Sequence, residues 1–317
     1  MVDNTVQPMR PEPADRGLAT KKTKIKEAAS DRVYNIVNNS LLMIIFVVVA
    51  YPLLYITACS FSSTLAIYSG KVWIWPVGFQ VTAYKEIFQY RPVLIGYGNT
   101  IYYTVIGTAV NVVCTIMAAY PLSRKDLVGR DLLMFMYTFT MIFFGGMIPT
   151  YLLVRNLGML NTRWAMIIPQ AVGVYNVIIA RTFFQHNIPQ DMLDAARIDG
   201  ASDIQFIFMV VLPLSGAIIA VITLFYAVFH WNAFFHAFIY LNKRELYPLQ
   251  VFLREILVMN EIDPEMVVDP EEMQEMENLR ELLKYALIIV SSVPILLLYP
   301  FVQKYFVKGV MLGSIKG

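Results

Sequence analysis

Residues 187–213, NIPQDMLDAARIDGASDIQFIFMVVLP, form a long polar interruption with apolar runs on both sides. Pro189 suits an opening turn, where its missing N–H would go unpaired anyway. Asp191 and Asp194 favour the positive end of the helix that follows. Gly200 supplies a stop where a side chain would be strained. Ser202 with Gln205 three residues on is a capping-box pattern, and Phe206 then begins an apolar run. Pro213 is expected to end this second element before the next apolar run. The stretch therefore reads as helix, tight glycine turn, helix, held at a membrane surface.

The flanking sequence makes the membrane reading necessary. The chain has 317 residues, 57% hydrophobic and only 15% charged, too apolar for a water-soluble domain of this size. Its apolar residues cluster in long runs, which indicates an all-α integral membrane protein in a lipid bilayer. A net charge near +2 gives no reason to expect nucleic acid as a partner. Cys59 and Cys114 both lie in apolar runs, so no disulfide framework is expected. Two cysteines and three scattered histidines also predict no metal centre.

Working outward, spans are expected at about 36–60, 99–121, 131–153, 164–184, 214–240 and 285–302. Residues 1–32, with Lys21, Lys22, Lys24 and Lys26, read as a disordered basic tail ahead of a transmembrane domain over 33–317. The loop 61–98 carries Trp73 and Trp75, suited to the lipid–water boundary, and a short surface helix over 81–88. Gly145-Gly146 and Pro149 sit in the third span, where the proline predicts a kink. The loop 241–281 is acidic in its second half, from Glu261 to Glu277. Basic residues decide the orientation. The tail, the knot Arg124, Lys125 and Arg130, and the closing lysines all fall on one side if both termini are cytoplasmic. That arrangement puts 187–213 in the cytoplasm and 241–281 outside.

Asp194-Ala195-Ala196, three residues, Gly200, nine residues, then Val210-Val211-Leu212-Pro213 resembles the EAA loop of ABC importer permeases. Asp194 stands where that family has Glu, and Val210 where it has Ile. The six spans, with this loop between the fourth and fifth, resemble the carbohydrate-uptake, MalG-like class, a type I ABC importer transmembrane domain. The segments Phe144–Pro149, Asn156–Thr162, Tyr247–Gln250 and Tyr299–Gly309 look like its LplC/YtcP-like branch, associated with oligosaccharides from complex, including uronic-acid, polysaccharides. The resemblance covers roughly residues 30–317 and implies a multi-pass protein of the bacterial inner membrane. It implies a second, homologous permease as partner, a dimer of ATPase subunits and an extracytoplasmic solute-binding protein. It also implies that Asp194, Ala195, Ala196, Asp199, Gly200, Leu212 and Pro213 couple the chain to the ATPase. Arg197 is left open between a second such contact and a lipid-facing charge. The tail 308–317 is implied to reach between the ATPases. The chain has no Gly-x-x-x-x-Gly-Lys-Ser/Thr loop, so ATP and Mg²⁺ are expected on the partner ATPase and no cofactor or catalytic residue in this chain.

A solute path through lipid needs hydrogen-bonding groups at mid-membrane, because a sugar's hydroxyls must replace lost water. Polar residues inside spans are functional candidates by default. The candidates are Asn111 in the second span, Tyr175 and Asn176 in the fourth, and His230, Trp231, Asn232 and His236 in the fifth. Asn232 and His236, four apart, are expected on one helix face. The same residues can instead serve as interhelical glue. An ion-coupled transporter would want carboxylates within its spans, and none lies in the six apolar cores. No nucleophile–base–acid set points to a membrane enzyme. An ABC importer for a non-sugar solute remains the alternative to an oligosaccharide importer.

Overall fold

The computed structural model describes residues 28–258, 281–298, 300 and 303. Residues 1–27 of the expected basic tail, the acidic stretch 261–277 and the tail 308–317 lie outside the described residues. Two units are distinguished, Met1–Tyr51 and Pro52–Gly317. The described residues are mostly helical, with no strand among them.

α1 (Ala29–Ser60) has no charge after Arg32, and its apolar side chains between Val33 and Val49 are exposed. In the second unit, α2 (Thr64–Tyr68) is capped by Ser63, and α3 (Thr82–Gln89) falls where a short surface helix is expected. α4 (Arg91–Ser123) begins eight residues before the second expected span and is the central element. Its buried face includes Asn99, Thr100, Tyr103, Gly107, Asn111 and Thr115, an unusually polar stripe for so apolar a helix.

The third expected span is two helices, α5 (Arg130–Ile142) and α6 (Met147–Asn156), meeting at 112°. The bend is not a proline kink. It falls at residues 143–146, where Gly146 takes φ 90, and Pro149 sits in the first turn of α6. A positive φ is open to glycine and strained for other residues, so the glycine pair turns the chain and the proline only starts the next helix. Two 3₁₀ turns, Arg163–Met166 and Ile168–Gln170, precede α7 (Val174–Asn187) at a 50° bend.

The polar stretch folds as α8 (Gln190–Ile198) and α9 (Asp203–Leu214). Pro213 does not end α9. A π turn over Ile207–Val211 precedes it, and the helix runs one residue further to Leu214. The wider π turn changes which carbonyl faces the pyrrolidine ring and so accommodates it. α10 (Gly216–Trp231) then leaves at 81°. The fifth expected span is therefore broken as well: α10 stops at Trp231, and α11 (Phe235–Tyr240) follows after residues 232–234. α12 (Leu249–Val258) and α13 (Glu281–Leu298) complete the described helices. Among the described residues three helices are long and apolar enough to cross a membrane, or up to six segments if each bent pair counts as one.

One apolar cluster ties the bundle to the polar stretch. It joins Ala119 and Leu122 of α4, Val177 and Phe184 of α7, Leu193 of α8, Phe206 and Val211 of α9, and Ile218 and Ile222 of α10. α8 and α9 thus lie on the bundle through one or two buried side chains each, with α8's acidic residues outward and Ile204, Phe208 and Met209 of α9 exposed.

Candidate functional site

Two regions carry the residues expected to act. In the first, Pro189 directly precedes α8, and Asp191 lies in its first turn. Leu193, 3% exposed, anchors α8 to the core. Asp194 and Ala195 are exposed and Ala196 is half-buried, so one face of the helix is free. Asp194 accepts a 3.3 Å hydrogen bond from Gln190 Nε2. The turn closes as a Schellman motif: Ala201 N–H donates to Ala196 O at 2.9 Å and Gly200 N–H to Arg197 O at 3.1 Å. Asp199 caps the helix and Gly200 takes φ 81. Ser202 and Gln205 complete both halves of the capping box. Leu212 is half-buried and Pro213 exposed on α9. Arg197 is partly exposed and makes two ion pairs. It pairs with Asp126 in the α4–α5 loop at 3.7 Å and with Asp203 at 3.3 Å. Ile198 was not singled out from the sequence, yet it is 86% exposed at the tip of α8. Its signal was available: an isoleucine beside Asp199-Gly200 has no apolar neighbour in the turn.

The second region lies among α4, α7 and α10. Asn111 Nδ2 donates to Gln170 O, so Asn111 Oδ1 faces His230 Nε2 at 2.6 Å. That pairing assigns the His230 proton to Nε2. Gly107 makes room for the ring, since a Cβ there would lie 2.5 Å from His230 Nε2. One turn along, Thr115 Oγ1 and Tyr226 Oη are 2.7 Å apart, and Gly173 N–H donates to the same Tyr226 oxygen at 2.9 Å. Gln170 Nε2 lies 3.1 Å from His236 Nε2, which must then be the acceptor. Beside this network is a cavity of about 420 Å³ lined by Gln170, Gly173, Tyr175, Asn176, Phe225, Tyr226 and Phe229. That volume falls within the roughly 300–1,000 Å³ of small-molecule sites.

Of the seven expected path residues, Tyr175 and Asn176 line the cavity. Asn111 and His230, 0% and 1% exposed, are turned to each other and hold α4 against α10. Trp231 is buried, donates to Ser291 O of α13 at 2.8 Å and meets Tyr97 edge-on. Asn232 is exposed and donates only to Val228 O, one turn back. Asn232 and His236 do not share a helix face, because α10 ends between them. Phe225 and Phe229, four apart on α10, were missed. Two phenylalanines in an apolar helix look like lipid contacts unless the helix's orientation is known.

Two of the branch-like segments, 156–162 and 247–250, serve as pins. Asn99 Nδ2 donates to Glu245 O and Tyr247 O, Tyr103 Oη to Leu246 O, and Leu249 N–H to Thr100 Oγ1, fixing 245–249 along α4. Arg244 in the same turn binds Glu255 at 2.7 Å, and this hydrogen bond raises its pKa further. Asn161, at φ 58, accepts from Asn242 N–H at 2.6 Å and ties 156–162 to the end of α11.

No family model matches the chain. It is 41% identical over 292 residues to the polygalacturonan/rhamnogalacturonan transport system permease protein YtcP of Bacillus subtilis, covering 90% of this chain and 99% of that protein. It is 40% identical over 286 residues to protein LplC of Bacillus subtilis, covering 90% and 96%. Among solved structures it resembles a bacterial ABC transporter involved in the import of the acidic polysaccharide alginate. The TM-score is 0.81 at 36% identity, over 89% of this chain and 99% of that one.

Proposed function

The chain belongs to the carbohydrate ABC transporter permeases, and from that premise we propose that it is one of two permease subunits of an ATP-driven, binding-protein-dependent oligosaccharide importer in a bacterial inner membrane. Its proposed topology has six crossings, three of them built from bent pairs, with both termini and the loop 187–213 in the cytoplasm and 241–281 outside. The transmembrane domain is proposed to span 33–317. ATP and Mg²⁺ belong to a separate ATPase dimer in this reading, and a solute-binding protein delivers the sugar from outside.

In this proposal α8 is the contact with the ATPase. The observation that carries it is the exposed face Asp194, Ala195, Ile198 and Asp199, closed by Gly200 at φ 81 and anchored from behind by Leu193. A free face on a rigidly terminated helix is what a docking element needs, and Ala195 and Ala196 permit close approach. Leu212 and Pro213 return the chain to the bundle.

The sugar path runs past Tyr175 and Asn176 in this proposal. Tyr175, Phe225 and Phe229 offer ring faces to sugar C–H surfaces, and Gln170 and Asn176 offer amides to hydroxyls. Asn111, His230, Trp231 and His236 frame this path in the described state. The proposed substrates are acidic oligosaccharides, supported by the names of the relatives that handle polygalacturonan and alginate. Uptake of labelled trigalacturonate and of an alginate trimer into proteoliposomes carrying the full complex tests this. Import that stops without ATP and survives a proton ionophore supports the reading. Import that follows the ion gradient, or that carries only neutral sugars, overturns it in whole or in substrate class.

A further inference from the structure

Arg124 follows the last residue of α4 and is only 6% exposed. No carboxylate pairs with it among the described residues. A buried guanidinium without a counter-ion demands other acceptors. It finds them at the end of α7: Nη2 lies 3.3 Å from Phe184 O and 3.0 Å from Ile188 O. Nε donates to Ser123 Oγ at 3.1 Å, and the guanidinium lies 5.1 Å from the Tyr120 ring centre. These carbonyls are the terminal, partly negative end of a helix, where a cation is favoured. The reverse contact also exists. Arg181 of α7 donates from Nε to Leu122 O at 2.9 Å, a terminal carbonyl of α4. Each helix end is thus held by the other helix's arginine.

The place matters as much as the bonds. Ile188, one of the two carbonyls held by Arg124, is two residues ahead of α8. Arg197 of α8 reaches Asp126, two residues past Arg124. Apolar contacts between helices can slip and repack under a push. One planar guanidinium that bonds two carbonyls through Nη2 and Ser123 Oγ through Nε keeps its register, and a lysine's single nitrogen cannot reach all three acceptors.

We propose that Arg124 and Arg181 are positioning residues that lock the adjoining ends of α4 and α7 into one moving piece, so that displacement of α8 reaches α4 and the cavity wall. This rests on the reading of α8 as the ATPase contact. The test uses the complete complex, with Cys59 and Cys114 replaced by alanine and spin labels at Lys125→Cys and His186→Cys, two exposed sites flanking the clamp. Distances are measured without nucleotide and with ATP plus vanadate. The expected result is a label separation that shifts by less than about 2 Å between states, the scale of ordinary helix sliding. In Arg124→Lys or Arg181→Gln the distribution should broaden or split only in the ATP–vanadate state. Labels that part in the parent complex overturn the proposal, as do variants that leave the distribution unchanged. If Arg124→Lys fails to assemble, Arg181→Gln, which keeps an N–H donor, carries the test. Failure of both to assemble also overturns it, since the arginines would then serve folding alone. Co-purification of the ATPase with the unlabelled parent chain separately checks the docking reading.

Discussion

The loop 187–213 and the interior between α4, α7 and α10 both interrupt apolar sequence with polar residues, and they use polarity in opposite ways. In the loop most side-chain bonds are short in sequence: Ser202 with Gln205, Gln190 with Asp194, and Arg197 with Asp203, six residues apart; the Arg197–Asp126 pair and the Arg124 bond to Ile188 O reach outside it. In the interior they join residues 53 to 119 positions apart: Gly173 with Tyr226, Gln170 with His236, Thr115 with Tyr226, Asn111 with His230. The loop turns its acidic groups outward and is held by a few buried apolar residues. The interior turns its polar groups inward, where an unpaired one is penalised. The docking role proposed for the loop asks for a free, mostly locally closed shape, whereas a framed cavity has to be closed by its neighbours.

The sharpest way to break this contrast is Gly200→Pro. Proline's φ near −65° cannot meet the observed 81, so the turn is lost. Uptake should fall by about 100-fold or more and the ATPase should no longer co-purify, because the turn after α8 is closed by its own residues around Gly200. Membrane insertion and the thermal stability of the purified chain should persist. A Gly200→Pro chain that still carries its ATPase at normal yield would sink the docking role.

Next in size, Gly107→Ala or Asn111→Leu attacks the interior and spares the loop. The alanine Cβ would sit 2.5 Å from His230 Nε2, and the leucine would strand the buried imidazole. Either should destabilise the chain by roughly 1–3 kcal/mol, seen as a lower melting temperature of the detergent-purified protein. ATPase co-purification should hold.

Tyr175→Ala divides cavity from frame. Tyr175 is 61% exposed and lines the cavity, so its loss should leave stability unchanged and cut oligosaccharide uptake about tenfold, equivalent to about 1.4 kcal/mol. Unchanged uptake with a lowered melting temperature would move Tyr175 from the path to the frame.

Ser202→Ala sharpens the local side. It removes one cap worth about 1 kcal/mol, so amide exchange over 203–206 should quicken while uptake changes by less than about twofold. Smallest of all, Asn232→Leu should leave transport and melting unchanged, since Asn232 is exposed and bonds only within its own turn. A clear loss of uptake in that variant would restore residue 232 to the sugar path.

These differences explain how much was legible beforehand. Gly200 at positive φ, the Ser202–Gln205 box and the start of α8 after Pro189 all follow from residues within a turn of one another. The break at Gly145-Gly146 was visible as a feature but was assigned to Pro149, because a proline in an apolar run usually marks the kink. Arg197 stayed ambiguous until Asp126, on another element, came beside it. The expectation for Asn232 and His236 failed because it assumed one continuous helix where α10 stops at Trp231. Phe225 and Phe229 were unreadable, since an apolar ring on an apolar helix carries no sign of which side it faces.

From its amino acids alone this chain declared a helical membrane protein, the shape of its polar loop and the family that loop resembles, because hydropathy, turn chemistry and capping act over a few residues. Only the tertiary structure decided which polar residues meet, which rings line the cavity and that two arginines hold each other's helix ends. Those outcomes depend on where helices stop and which faces they turn to one another, and packing between distant segments sets both.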